Sequence, residues 1–233
     1  MELSSKPPAL ARTLVGLTVA VAFVWYVAQG VSGIPNTPSG PIPAPTVDEP
    51  LAQKSSTQVA IFAGGCFWGT QAVFEHVNGV REVTAGYCGG HIDHPYYELV
   101  CTGSTGHAES VRVVYDPSKI TYGQLLMVFF GVAHDPTQKN RQGPDVGTQY
   151  RSAIFFTSPE QKRIAVAYIV QLNDAKLFGH PIATQVVAAP EFYDAEGYHQ
   201  DYVVHHPDDG YIRTMDMPKL ELLKRTFPQF YRP

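Results

Sequence analysis

Residues 58–69 read QVAIFAGGCFWG. Gln58–Ala63 is a short apolar run closed by two glycines, the pattern of a buried strand. The residues after it repeat at helical spacing, with Phe67, Ala72, Val73, Phe74 and Val77 apolar, and predict a helix over 66–77. A strand therefore ends in Gly64-Gly65, and Cys66 opens the helix. Glycines permit the tight turn and let a ligand approach the backbone. A cysteine at a helix N-terminus meets unpaired N–H groups and the positive end of the helix dipole, both of which favour the nucleophilic thiolate. Two adjacent aromatics cannot share one helix face, so Phe67 or Trp68 is expected to line a site. The plain alternative is an inert buried cysteine among core aromatics.

Outward from this stretch, strands and helices alternate. Val80–Cys88 and Ser110–Tyr115 read as strands, the first ending in Gly89-Gly90 and the second at Asp116-Pro117. Thr121 is an apt N-cap for a helix over 121–132. Ser152–Phe156 reads as a strand. Ser158-Pro159 opens a helix expected to run to about Phe178. Ile182–Ala188 reads as a strand, the segment after Ala189 as irregular, and 219–226 as a last helix. The order β-α-β-β-α-β-α-β predicts an α+β protein, a two-layer sandwich with a ferredoxin-like core.

The chain has 233 residues, with 17 Lys and Arg against 21 Asp and Glu, a net charge of −4. It lacks a basic run, which argues against a nucleic-acid partner. Thirteen Tyr and twelve Phe supply ample core material. Residues 13–31 form an uncharged apolar stretch long enough to cross a bilayer as a helix. Lys6 and Arg12 precede it, so the N-terminus is expected in the cytoplasm and the rest of the chain outside. Two readings stand: an uncleaved anchor, or a signal peptide cleaved near Ala28-Gln29-Gly30. Residues 32–50 (SGIPNTPSGPIPAPTVDEP) read as an extended tether with a reach of up to ~60 Å. The expected organisation is a membrane anchor or signal peptide over 1–31, a Pro-rich linker over 32–54 and a catalytic domain over 55–233.

Three cysteines, Cys66, Cys88 and Cys101, are too few and too irregularly spaced for a disulfide framework or a Cys-x-x-Cys site. His91-Ile92-Asp93-His94 and His205-His206-Pro207-Asp208 lack the usual ligand spacing, so no metal is expected.

GGCFWG at Gly64–Gly69 is followed in order by GYCGG at Gly86–Gly90, TGHAE at Thr105–Glu109, HDPTQ at His134–Gln138, GTQYRS at Gly147–Ser152 and YHQDY at Tyr198–Tyr202. From about Val59 to Tyr211 this series resembles the peptide-methionine (S)-S-oxide reductases, the class A methionine sulfoxide reductases. The resemblance implies that the S epimer of methionine sulfoxide, in proteins or free, is reduced to methionine in the repair of oxidised proteins. It implies Cys66 as the nucleophile, Glu109 as the acid, and Tyr97 and Tyr150 as donors to the sulfoxide oxygen, with Tyr96 an alternative to Tyr97. Phe67 and Trp68 would cage the methyl group, and Asp145 would order the site. The product on Cys66 would be a sulfenic acid. No bound cofactor is implied. The expected partners are oxidised proteins, an external thiol reductant (thioredoxin, or glutaredoxin with glutathione) and the membrane; the enzyme is expected to be monomeric.

One departure is plain. Many relatives carry a resolving cysteine just after a Gly-Tyr pair near the C-terminus. Here Ile212 follows Gly210-Tyr211, and no cysteine lies beyond Cys101. Two recycling routes remain: direct condensation with an external thiol, which is the expected one, or an internal step through Cys88 beside Gly89-Gly90. The family counterpart of Cys101 is commonly not a resolver. The departure also motivates a rival reading, a tethered thiol-dependent binding module without turnover.

Overall fold

The structure, a computed structural model, describes residues 38–233. The expected membrane or signal helix lies outside the described residues. Among the described residues no helix is long and apolar enough to cross a membrane.

Six strands form one sheet: β1 (Gln58–Gly64), β2 (Val80–Cys88), β3 (Ala108–Tyr115), β4 (Ser152–Phe156), β5 (Gln185–Ala188) and β6 (Phe192–Asp194). Their order is β5-β4-β1-β3-β2-β6. Only β4 and β5 run parallel; every other neighbour is antiparallel. The inner order β4-β1-β3-β2 is what a split β-α-β-β-α-β unit produces. Helix α1 (Phe67–Glu75) links β1 to β2, and the short α2 (Tyr97–Cys101) lies between β2 and β3. Helix α3 (Tyr122–Val128) passes into a π turn, Phe129–Ala133, before β4, and α4 (Pro159–Asp174) leads to β5. The short α5 (Tyr202–His205) and a second π turn, Ile212–Asp216, precede α6 (Met217–Thr226).

Strand alternation divides the core. Ala60, Phe62, Val111, Val113 and Tyr87 join the large cluster with Phe67, Phe74, Leu125, Phe129 and Tyr168. Ile61, Ala63, Cys88, Ala108 and Phe155 form a smaller cluster. Strand β1 is central and buried on both sides, so its sequence reads as an unbroken apolar run instead of an alternation.

The helix caps follow the sequence. Thr121 and Gln124 form a reciprocal capping box, and the Ser158 side chain accepts from Gln161 N–H. Helix α4 stops at Asp174, short of Phe178, because Lys176 enters the left-handed region at φ 52°. Strand β5 begins three residues late. Ile182 N–H donates to the Asn173 side chain and Ala183 N–H to Pro136 O, which holds both residues off the sheet. The segment after Ala189, expected to be irregular, supplies β6 on the edge of β2.

The linker reading needs correction. From Ser39 to Ala52 the chain is a strap docked on the domain. Ile42 is buried in the main cluster. Tyr168 O–H donates to Pro43 O at 2.7 Å, and Gln171 binds Thr46 N–H and Ala44 O at 2.9 Å each. Asp48 accepts from Gly123 N–H at 2.9 Å and from the Thr121 hydroxyl, so it adds to the cap of α3. Polyproline-type backbone makes no internal hydrogen bonds. Its carbonyls are therefore free to be taken by side chains of a neighbouring helix, and a single isoleucine supplies the apolar anchor. The folded unit begins near Ser39, not near residue 55, and the ~60 Å reach does not apply to the docked part.

Candidate active site

Cys66 is the N-cap of α1, at the end of β1. Gly65 before it sits at φ 88°, and a Cβ there would fall 2.5 Å from the Gln142 side chain. Gln142 is itself fixed, accepting from Asp135 N–H at 3.1 Å and donating to Asp135 O at 3.0 Å. The turn carrying the thiol is thus clamped by the loop that follows His134. Gly69 has a different reason: a Cβ there would collide with the buried Asp216, which pairs with Lys219 at 3.1 Å.

Glu109 stands on β3 opposite Tyr87 on β2, one residue on from the Cys88–Ala108 pair. It therefore faces the main core, and its side chain is 2% exposed. Its carboxylate oxygen accepts from Phe67 N–H at 3.1 Å, which ties it to the first turn of α1. Burial pushes its pKa up to about 8, with the Asp145 charge adding to the rise and the Phe67 N–H opposing it. At neutral pH Glu109 is a neutral acid.

The thiol of Cys66 differs from the sequence expectation. Burial raises its pKa well above the ordinary thiol range, and the Glu109 and Asp216 charges add to this. The Trp68 N–H and the Lys219 ammonium oppose the rise without reversing it. The helix N-terminus acts in the expected direction, but desolvation wins, and the resting group is the thiol.

A cavity of about 220 Å³ collects Cys66, Phe67, Trp68, Tyr97, Glu109, Asp145, Tyr150, Asp209 and Tyr211. Every residue expected for nucleophile, acid, oxygen donors, methyl cage and site ordering lines this one cavity. Tyr97 lines it, whereas Tyr96 is 53% exposed and does not. Burial raises the pKa values of the Tyr97 and Tyr150 hydroxyls, so both remain donors. Asp145 accepts from the Tyr211 hydroxyl and so holds one side of the mouth.

Several side chains that shape the cavity were not picked out from the sequence. The Trp68 indole stacks on Tyr202, with ring centroids 3.8 Å apart, and donates to His199 Nδ1 at 3.1 Å. Accepting at Nδ1 leaves the neutral His199 ring its proton on Nε2, which is buried without a partner. Tyr211 meets the same indole edge-on. Glu196 accepts from Tyr97 N–H at 2.9 Å and from Tyr87 O–H at 2.8 Å, and so seats the start of α2. The YHQDY run contained His199 and Tyr202, but nothing in its spacing marked them as supports of Trp68. The other matching runs serve as scaffold. His134 bonds Ser152 at 2.7 Å, and the His107 ring takes Gly90 N–H and contacts Ile92 O.

Cys88 is placed differently from the sequence expectation. It is fully buried in the smaller cluster, on the opposite sheet face from Glu109, and is paired in the ladder with both Ala108 and Phe192. Burial pushes its thiol up to about 12. The period-two alternation of β2 puts Tyr87 towards the cavity and Cys88 away from it, so Cys88 cannot reach Cys66 as a mobile loop thiol. Among the described residues no three His, Cys, Asp or Glu side chains converge as a metal set.

A buried thiol at a helix start, a neutral carboxyl bonded to the next residue and an aromatic pocket define a thiol enzyme that works on a small, partly apolar group. The chain belongs to the peptide methionine sulfoxide reductase family, whose profile matches residues 58–230. It is 56% identical over 185 residues to peptide methionine sulfoxide reductase MsrA 2 of Mesorhizobium japonicum, covering 79% of this chain and 94% of that one. It is 51% identical over 176 residues to the MsrA of Thermus thermophilus, covering 76% and 98% respectively. Among solved structures it is similar to reduced Mxr1 from Saccharomyces cerevisiae, with TM-score 0.62 and 35% identity over 70% of this chain and 92% of that one. Methionine sulfoxide reductase A of Corynebacterium diphtheriae gives TM-score 0.58 and 35% identity over 76% and 90%. The activity of the chain is the reduction of methionine sulfoxide to methionine.

Proposed function

We propose that the chain reduces the S epimer of methionine sulfoxide, in proteins and as the free amino acid, through attack of Cys66 on sulfur. Phe67 and Trp68 receive the methyl group by apolar and sulfur–aromatic contact. Glu109, Tyr97 and Tyr150 face the sulfoxide oxygen as it gains charge. Atoms balance without a cofactor: one thiol and one sulfoxide give one sulfenic acid and one thioether, with the oxygen passing to the Cys66 sulfur. An external thiol system of the thioredoxin or glutathione class closes the cycle. The observation that carries this reading is the neutral, buried Glu109 hydrogen-bonded at the start of α1, in one cavity with Cys66 and the two aromatics.

The test is multiple turnover with dithiothreitol on the two separated epimers of dabsyl-methionine sulfoxide. The S epimer is consumed, the R epimer is not, and Cys66→Ser abolishes the reaction. Equal rates on both epimers, or turnover by Cys66→Ser, would overturn the reading. The rival binding module predicts no turnover at all.

The apolar stretch over 13–31, with its basic N-terminal flank, supports placing the catalytic domain on the non-cytoplasmic side, exported or tethered. A periplasmic-only reporter fused after Pro50 is expected to be active. Activity of a cytoplasmic-only reporter at the same point would contradict this.

A further inference from the structure

The chain holds three cysteines, and none follows Cys101. The place where many relatives have a resolving cysteine is filled by Ile212, fully buried against Ala72 and Val203. Cys88 is walled off on the other sheet face. Cys101 is left, and its surroundings differ from those of Cys88. It is the last residue of α2, four residues after Tyr97, and so lies on the same helix face one turn on. Tyr97 lines the cavity that holds Cys66. The Tyr97 hydroxyl and the Cys101 thiol are neighbours, close enough for each to shift the other's pKa. The Cys101 carbonyl accepts from Gln149 at 3.1 Å, and the next residue, Tyr150, lines the same cavity. Cys101 is partly exposed, whereas Cys88 has no access.

We propose that Cys101 is the resolving thiol, which closes a disulfide with Cys66 beside Tyr97 once the sulfenic acid has formed. This step rests on the reductase reading above. The Cys101 sulfur attacks the Cys66 sulfur, the S–S bond forms and the S–O bond breaks. The hydroxyl leaves as water with the proton given up by Cys101, passed through Glu109. Both sulfurs end at the disulfide level, and an external dithiol returns them to thiols while becoming a disulfide itself. Burial raises the Cys101 pKa, and the neighbouring Tyr97 hydroxyl acts against that rise. The bond requires Cα atoms about 4.4–6.8 Å apart. The part that adjusts is the five-residue helix, bounded by extended Tyr96 and by Gly103 at φ 73°. Departure of methionine empties the cavity that Cys66 and Tyr97 line, which leaves room for this approach.

The experiment uses the full reduced chain, freed of reductant, with one equivalent of a peptide carrying the S epimer, quenched by an alkylating agent. Methionine is expected to form, free thiols to fall from three to one, and mass mapping to join the Cys66 and Cys101 peptides. Methionine formation with two thiols left and a dimedone-reactive Cys66 overturns the proposal, as does a bond to Cys88. Absence of methionine overturns the reductase reading and this step with it. Cys101→Ser is expected to keep a dimedone-reactive Cys66 after the first turnover and to lose about tenfold or more of thioredoxin-supported turnover. Unchanged thioredoxin-supported turnover in that variant also overturns it.

Discussion

Glu109 suits the acid role proposed for it because of where a strand puts it. Alternation on β3 turns it into the core beside Tyr87, and desolvation then keeps it protonated at neutral pH. The same shift has a stability consequence. The folded pKa is about 8 and the unfolded value is ordinary, so the native state binds the extra proton between them. The associated stability is full below the unfolded pKa and is lost as pH rises through about 8. Glu109→Gln keeps an oxygen for the Phe67 N–H but cannot ionise. Urea unfolding of the two proteins at pH 6 and pH 9 should show the wild type losing a few kcal/mol relative to the variant. Parallel behaviour across that range would mean that Glu109 is ionised in the fold. Trp68 is a second residue with a specific expectation. It is partly exposed and held by Tyr202 and His199, so Trp68→Ala should fold. Loss of about 1 kcal/mol of aromatic contact should raise KM by about 3–10-fold. An unchanged KM in a folded variant would remove the ring from the methyl cage.

At the scale of elements, the strap over 39–52 is the main addition to the sequence reading. Its prolines suggested a free tether, and nothing in its composition marked Ile42 as core or Asp48 as a cap. Asp48 is met by Thr121 and Gly123, and the backbone just after Ile42 is held by Tyr168 and Gln171, all more than 70 positions away in the chain. Ile42→Ala should cost about 2–4 kcal/mol by chemical denaturation. Asp48→Ala, which strips the extra cap from α3, should cost about 1 kcal/mol. A loss below about 0.5 kcal/mol in both would show the strap to be a passive tether after all. Elements with local signals were legible: β1, β2 and β4 from their apolar runs, and α3 and α4 from Thr121 and Ser158-Pro159. Elements whose partners are distant were not. Strand β6 exists only because β2 offers an edge, and β5 is shortened by bonds to Asn173 and Pro136.

Across the whole molecule, six short runs scattered between Gly64 and Tyr202 fold into one cavity and its supports. The order of those runs made Cys66, Glu109, Tyr97, Tyr150, Phe67, Trp68 and Asp145 legible as a set. What the order could not carry was side-chain direction. The face of β2 decides against Cys88, and the turn of α2 brings Cys101 beside Tyr97. The protonation of Cys66 was also out of reach, because it depends on how deeply the helix start is buried. The central claim is that a buried, neutral Glu109 gives its proton to the sulfoxide oxygen as Cys66 takes the sulfur. The most direct test is the single-turnover rate of methionine formation from the S epimer at pH 7, compared between wild type and Glu109→Gln. The variant is expected to fold and to be slowed by about 10²–10⁴. A folded variant forming methionine at the wild-type rate would contradict it.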